Sequence, residues 1–502
     1  MSTNNRYIFN NDYMIGNDEK RLYITYRHHP KVFTQNKSGA DPGFFAFLHP
    51  EIAKILALFD GMNDLPLIVK EVANRFQISN EYTEKLISSM IENKKRILVT
   101  HKGEKCALPS NVIIPLKENN SPSVFFRDIF DIKNYDNSTL RLYKFPLDVT
   151  FMVNTICAVD CIYCYADCRN KFDCQIPQHR IKKLIEECRQ YGVRVFDLMG
   201  GEVLLYKNWK WLIETLRLNG FPIHLSTKVP VSQNIIKEIY DSGIRLFQIS
   251  LDSFEPNIIE KNLNITDGIN YIKKMQIALK EAENHGIKIN IHSVITTHNK
   301  DVSHLRDFIE KLSLYNNIEK LQISVVGPSL YKHGFQHHRL NSEDIEKLRL
   351  FILENKEKFP FNINIPFAIS KSFYIDDVES KNARFNNRAL CTGNVRQVFI
   401  LPNGDVTICE ELMFHPKFIL GNIINEDLHT IWKKNRLSYL EDINTYQNSF
   451  CGKCNSFDSC KGNTSKGVCW KEILHAYGEE KWNYPDPKCP HAPIEMNDFF
   501  IE

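Results

Sequence analysis

A chain of 502 residues, 43% hydrophobic and 25% charged, has the composition of a globular protein of about two to four domains. Its 63 basic and 60 acidic side chains nearly cancel, so no general field draws it to nucleic acid or an anionic membrane; no run approaches the ~18 apolar residues of a membrane span. Fourteen cysteines behind a polar N-terminus exclude a secreted disulfide scaffold and point to metal or redox use in a reducing compartment, so the chain is expected to be cytoplasmic.

Residues 21–26 alternate in the period-2 manner of a half-buried strand. Three helix patterns follow. The first starts near His49-Pro50, buries Ile52, Ile55, Leu56 and Phe59, and is expected to end at Gly61. In the second, Asp64 is the expected N-cap, Pro66 falls in the opening turn, and Ile68, Val72 and Phe76 form the stripe. The third lines up Tyr82, Leu86 and Met90, and Ile97-Leu98-Val99 closes the module as a strand. Residues 1–104 are thus expected to form a winged-helix-like α+β module. Its helices mix Lys70, Glu71, Arg75, Glu81, Glu84 and Lys85, which is not the basic face of a DNA reader. The order of strand, His-Pro-Glu helix, Leu-Phe-Asp-Gly turn and two further helices resembles the leader-peptide recognition element of ribosomal-peptide maturases, which implies that a precursor peptide binds by β-augmentation. Residues 105–145, with the turn-rich stretch 119–123, are expected to be a linker.

From 146 to 330, strands near 146–154, 194–199, 222–227, 244–251, 288–295 and 319–326 alternate with helices near 178–191, 207–218, 233–241, 266–284 and 302–313. That order argues for a parallel α/β sheet, with its site at the C-terminal strand ends. The first strand runs directly into Cys157-Ala158-Val159-Asp160-Cys161-Ile162-Tyr163-Cys164. Three thiolates suit a 4Fe-4S cluster with one iron left open. The competing reading is a zinc knuckle with Cys168 as fourth ligand, although zinc sites usually join two cysteine pairs. Cys174 and Cys188 have no matching spacing, and Cys188 reads as a buried helix residue.

The C-x3-C-x2-C loop resembles that of the radical S-adenosylmethionine (SAM) superfamily. The resemblance implies a partial six-stranded (β/α)6 barrel, a cluster held by Cys157, Cys161 and Cys164, SAM on the open iron, and a 5'-deoxyadenosyl radical that takes a hydrogen atom from the substrate. It also implies further SAM contacts. Gly200, Gly201 and Glu202, about 35 residues past Cys164, match the Gly-Gly-Glu motif facing the SAM ammonium. Ser226, Thr227, Ser250 and Asp252 match polar strand ends that meet the methionyl and ribose groups, with helix or turn capping as their ordinary alternative. Tyr163, Val294 and Asn299 would face the adenine.

Residues 331–390 read as a bridge, with His333, His337 and His338 as surface residues because no carboxylate or cysteine partners them at ligand spacing. From Cys391 a second cysteine system begins. Val398-Phe399-Ile400 and Val406-Thr407-Ile408 flank Pro402-Asn403-Gly404-Asp405, a hairpin signal that brings Cys391 and Cys409 together. Cys451, Cys454, Cys460, Cys469 and Cys489 follow, and a zinc ribbon is the local alternative. The set resembles the SPASM domain, which implies a distal auxiliary cluster on Cys451, Cys454, Cys460 and Cys489 and a proximal one on Cys391 and Cys409. The family's next cysteine position is Thr464 here, so Cys469 is the candidate third thiolate of the proximal cluster. Glu410 matches a proposed base of sulfatase-maturing relatives.

Taken together, these resemblances imply an enzyme that modifies a precursor peptide bound through its leader, with electrons from a flavodoxin or ferredoxin. Thioether formation is the first expectation. Carbon-carbon crosslinking and epimerisation are the alternatives, and a zinc-stabilised, non-catalytic peptide-binding protein is the alternative from another class.

Overall fold

The computed structural model describes residues 6–32, 38–117, 130–166, 170–332, 334–365, 378–388, 391–463 and 468–493. Cys168, His333, Thr464 and the stretch 119–123 lie outside the described residues. The chain divides into two compact units, Met1–Phe145 and Pro146–Glu502.

The first unit runs β1 (Arg6–Phe9), β2 (Tyr13–Asn17), β3 (Leu22–Tyr26), β4 (Phe45–Leu48), α1 (Pro50–Leu56), β5 (Asp60–Asp64), α2 (Leu65–Phe76), α3 (Asn80–Met90), β6 (Ile97–His101), β7 (Glu104–Leu108) and β8 (Ile113–Pro115). Antiparallel pairing gives three small sheets, β2-β3-β4, β5-β1-β8 and the hairpin β6-β7. Asp64 caps α2 as expected, accepting from the Leu67 amide at 2.9 Å. Helix α1 stops at Leu56, short of Gly61, because the chain turns into β5; Gly61 takes φ +85° there, with Ile8 against the position of a Cβ. On α3 the buried residues are Thr83, Ile87 and Met90, while Tyr82 is 60% exposed, so the apolar stripe is rotated from the expected one.

The expected linker is corrected. Strand β7 pairs with β6, β8 pairs with β1, and Phe130 is buried in the same core as Ile24, Phe59 and Val72. Fully buried Arg21 pairs with Asp18 at 3.0 Å, donates to the Arg141 carbonyl at 2.7 Å and also reaches the Thr139 carbonyl. A buried guanidinium needs such acceptors, and here backbone carbonyls supply them. The described part of 105–145 therefore belongs to the module, whose boundary falls at 145 rather than 104.

The second unit begins β9 (Asp148–Met152), α4 (Gln178–Tyr191), β10 (Val195–Met199), α5 (Trp209–Leu218), β11 (Ser226–Thr227), α6 (Gln233–Asp241) and β12 (Leu246–Ser250). It continues α7 (Pro256–Leu263), α8 (Gly268–Asn284), β13 (Lys288–Ile295), α9 (Val302–Leu312), β14 (Ile318–Val325), α10 (Ser342–Asn355), β15 (Asn362–Asn364) and α11 (Val378–Asn387). The last part is β16 (Gln397–Ile400), β17 (Asp405–Thr407), β18 (Ile419–Asn422), α12 (Leu428–Lys434) and α13 (Trp470–Tyr477). All six expected barrel strands are present and pair in parallel, in two ladders, β9 with β10 and β11-β12-β13-β14.

Three features go beyond the expected barrel. Strand β15 extends the second ladder in parallel, from within the expected bridge. Strand β16 adds in parallel to β9, so the hairpin β16-β17 and then β18 continue the first ladder. Residues 391–502 are therefore joined to the barrel's sheet rather than hung beside it. No strand ladder links β10 to β11; side chains cross that gap, with Glu202 accepting from the Thr227 hydroxyl at 2.9 Å and His224 meeting Asp197 at 3.3 Å.

Candidate active site at the strand ends

The five residues of β9 are all buried, and the chain leaves the sheet at Val153, whose amide donates to the Met199 carbonyl. Asn154 then fastens the start of the cysteine loop to the end of β10. Its Nδ2 donates to the Glu202 carbonyl at 3.0 Å, its Oδ1 accepts from the Glu202 amide at 3.3 Å, and its carbonyl accepts from Gly201 at 2.8 Å. A Cβ on Gly201 would lie 2.3 Å from the Ile156 carbonyl oxygen, and one on Gly200 2.9 Å from Asn154 Oδ1. The glycine pair is thus needed because the protein's own cysteine loop lies against it.

The loop is also held from its other side. The Asp160 and Ile162 amides donate to the carbonyls of Leu263 and Asn262, at the end of α7, and Ser329 Oγ donates to the Cys164 carbonyl at 3.0 Å. Cys157, Cys161 and Cys164 all stay partly exposed. Burial pushes the Cys161 thiol up to about 11; Lys228 opposes that, whereas Asp252 and Cys164 reinforce it. A thiolate here requires positive compensation, which bound iron provides.

Several expected SAM contacts are engaged within the protein. Glu202 is buried, and burial raises its pKa; one oxygen accepts from Leu204 N, the other from Thr227 Oγ1 and Lys228 N. Ser226 Oγ accepts from Gln248 Nε2 at 2.9 Å. Asp252 accepts from Val294 N at 3.0 Å and from the Tyr163 hydroxyl, while Asn299 Nδ2 donates to the carbonyls of Asp252 and Val294, both at 3.2 Å. Ser250 ends β12 beside His292 of β13. Tyr163, Asp252, Val294 and Asn299 therefore form one network, with Ser226, Thr227 and Glu202 tied into strand ends beside it. The sequence places Lys228 in the polar strand end Ser226-Thr227-Lys228 but does not show that it is the cation of this network.

The second cysteine system is built from turns. At the hairpin, Gly404 takes φ +88° and its amide donates to Leu401 O at 2.9 Å. A Cβ on Gly393 would be 2.2 Å from the Ile408 carbonyl oxygen, a close approach that sets Cys391 beside Cys409. Burial pushes Cys409 up to about 12, with Glu411, Cys391 and Glu410 adding to it. Cys451, Cys454, Cys460 and Cys489 converge, since the first three all act on Cys489, which burial raises to about 11. Asp486 holds two of these segments together, accepting from Cys469 N through its carboxylate and from Cys489 N through its carbonyl. Cys469 precedes α13 among Glu472, Lys471 and Asp486, and its neighbours Val468 and Trp470 line a cleft with Cys391 and Lys461.

Hydrogen bonds link the two systems. Tyr331 hydroxyl donates to Glu411 O at 2.7 Å, and the Tyr331 amide donates to the Ser329 hydroxyl that holds Cys164. Tyr165, 41% exposed, has its phenol pKa raised by desolvation and then by Glu410, Cys164, Glu411 and Cys409. Glu411 pairs with Lys471 at 2.8 Å. Grouped thiols with one donor per iron fit iron-sulfur clusters.

Comparison with known proteins agrees with this layout. Residues 152–312 match the model of the radical SAM superfamily, and residues 391–455 that of the SPASM iron-sulfur cluster-binding domain. A probable GTP 3',8-cyclase of Sulfolobus acidocaldarius is 24% identical over 221 residues, 42% of this chain and 68% of that protein. Mycofactocin maturase MftC of Mycobacterium tuberculosis is 20% identical over 361 residues, 70% of this chain and 84% of its own length. Among solved structures, Streptococcus suis SuiB bound to SAM superposes with a TM-score of 0.60 at 13% identity, covering 96% of this chain and 99% of SuiB. SuiB bound to its precursor peptide SuiA gives 0.59 at 14% identity with the same coverage.

Proposed function

We propose that the chain is a radical SAM enzyme with a SPASM extension, and that it modifies a ribosomally made precursor peptide, most simply by joining a cysteine sulfur to a carbon. The observation that carries this reading is the direct linkage of the two cysteine systems, from the Cys164 carbonyl through Ser329 and Tyr331 to Glu411, whose amide donates to Cys409 Sγ at 3.4 Å. The likeness to MftC and to peptide-bound SuiB supports a peptide substrate.

When bound, SAM and the cluster on Cys157, Cys161 and Cys164 supply one-electron cleavage and hydrogen-atom abstraction. The chain's residues do the rest. Asn154, Ser329 and the end of α7 hold the loop in place, while Tyr163, Gly200, Gly201, Glu202, Ser226, Thr227, Ser250, Asp252, Val294 and Asn299 frame the SAM side. Cys451, Cys454, Cys460 and Cys489 hold the distal auxiliary cluster. Cys391, Cys409 and Cys469 leave the proximal site one ligand short, which suits capture of a substrate thiolate. Glu410, beside Cys409 and Tyr165, is the candidate base. The N-terminal module binds the leader, a flavodoxin or ferredoxin delivers electrons, and the reaction takes place in the cytoplasm.

The test is anaerobic incubation of the reconstituted protein with SAM, reductant and the short peptide encoded beside it. Loss of two hydrogens together with loss of one alkylatable thiol supports the thioether. Loss of two hydrogens with every thiol intact moves the reading to a carbon-carbon crosslink, and deuterium uptake from solvent at an α-carbon without loss of hydrogen moves it to epimerisation.

A further inference from the structure

Lys228 follows β11 and points into the network described above. Its side chain is 17% exposed and that of Asp252 is fully buried. The ammonium lies 3.2 and 3.4 Å from the two Asp252 carboxylate oxygens, donates to the Tyr163 hydroxyl, and stands 4.9 Å from the centre of the Tyr163 ring. Tyr163 is itself part of the cysteine loop, between Cys161 and Cys164. Asp252 also receives the Val294 amide at 3.0 Å and the Tyr163 hydroxyl, so its charge is met from three sides. The Tyr271 hydroxyl donates to the Lys228 carbonyl at 2.7 Å, and the Lys228 amide donates to Glu202, so the backbone that carries the ammonium is fixed at both ends.

This pair stands at a place where charge matters. Burial lowers the Lys228 pKa, but Asp252 and then Cys161 more than restore it, so the side chain is cationic. The bond from the ammonium to the Tyr163 hydroxyl sets the positive end of the pair against the cysteine loop, since Tyr163 lies between Cys161 and Cys164. In a site screened from water, a unit charge a few ångströms away acts far more strongly than it would in solution. Reduction adds negative charge to an iron-sulfur cluster, and nearby net charge is one of the levers that sets its potential.

We infer that Lys228 and Asp252 form a built-in charge pair that sets the reduction potential of the cluster on Cys157, Cys161 and Cys164. Lys228 favours the reduced state, and Asp252 limits that effect while holding the ammonium against Tyr163. Lys228 is a positioning and tuning residue in this account; it need not touch the peptide. The inference rests on the assignment of those three cysteines to a cluster.

The test is an EPR-monitored redox titration of the full-length, reconstituted protein without SAM. It follows the signal that disappears in the Cys157→Ala/Cys161→Ala/Cys164→Ala variant. Lys228→Met is expected to lower the midpoint by a tenfold or larger change in the reduction equilibrium, about 59 mV per tenfold for one electron. Asp252→Asn is expected to raise it. The double variant returns toward the parent value, and Lys228→Arg stays near it. If Lys228→Met fails to take up iron, Asp252→Asn and Lys228→Arg still decide the matter. A midpoint in Asp252→Asn that is unchanged or lowered overturns the inference, as does one in Lys228→Met that is unchanged or raised. If no signal is lost in the triple cysteine variant, the cluster assignment itself fails, and the inference with it.

Discussion

The two cysteine systems are built by different routes. Cys157, Cys161 and Cys164 lie on a single loop, pressed against the end of β10 and clamped by α7 and Ser329. The later thiols are gathered from the foot of a hairpin, a 3-10 turn at Phe450–Lys453 and the segments held by Asp486. The first arrangement places three donors with short-range geometry alone. The second depends on contacts between segments far apart in sequence. In the proposed function the two have separate duties, with radical generation at the compact loop and substrate or electron handling at the assembled site.

The largest expected effect breaks that comparison outright. Changing Cys157, Cys161 and Cys164 to Ala should abolish 5'-deoxyadenosine formation and remove about four irons, while changing Cys451 and Cys454 to Ala should remove a similar amount of iron yet leave SAM cleavage measurable. Equal loss of cleavage in both variants would erase the division of duties.

The two close-packed glycines sharpen it next. Gly201→Ala places a Cβ against Ile156 O, and Gly393→Ala places one against Ile408 O. Each should cost about 1–3 kcal/mol in thermal unfolding, as overpacking does, but only Gly201→Ala should reduce SAM cleavage. Cys469→Ser makes a finer cut, since loss of the modified peptide with SAM cleavage retained would place Cys469 at the proximal site, and unchanged iron and product would remove it.

The smallest effect lies in the first unit and serves as a control. Burial works against ionisation of Glu51, but its bonds to Arg75 and Lys54 hold its pKa down to about 2. A carboxylate with a depressed folded pKa stabilises the fold above its unfolded value and loses that contribution as pH falls from about 4.5 toward 2. Glu51→Gln should therefore flatten the acid branch of the module's stability by up to about 1 kcal/mol, with no change in iron content.

Much of this was legible in the sequence because it was local. Period and spacing fixed the six barrel strands, the hairpin at Gly404 and the cap at Asp64, and the two thiol groupings follow from short C-x-C spacings. What was not legible depends on distant partners. Helix α7 is only eight residues long and begins with a proline, so its pattern is weak, yet its carbonyls hold the cysteine loop. The stretch 130–145 has no periodicity because its attachment runs through backbone carbonyls to Arg21. The sequence also does not reveal the gap between β10 and β11 that Glu202 bridges through Thr227. The partners of Lys228 are hidden for a similar reason, since Tyr163 and Asp252 lie 65 and 24 residues away.

The central claim is that the loop at 157–164 generates the radical chemistry. Its most direct measurement is 5'-deoxyadenosine released from SAM by the anaerobically reconstituted protein under a strong reductant, compared with the triple cysteine-to-alanine variant. The account predicts turnover in the first and none in the second, and undiminished release by the variant would contradict it.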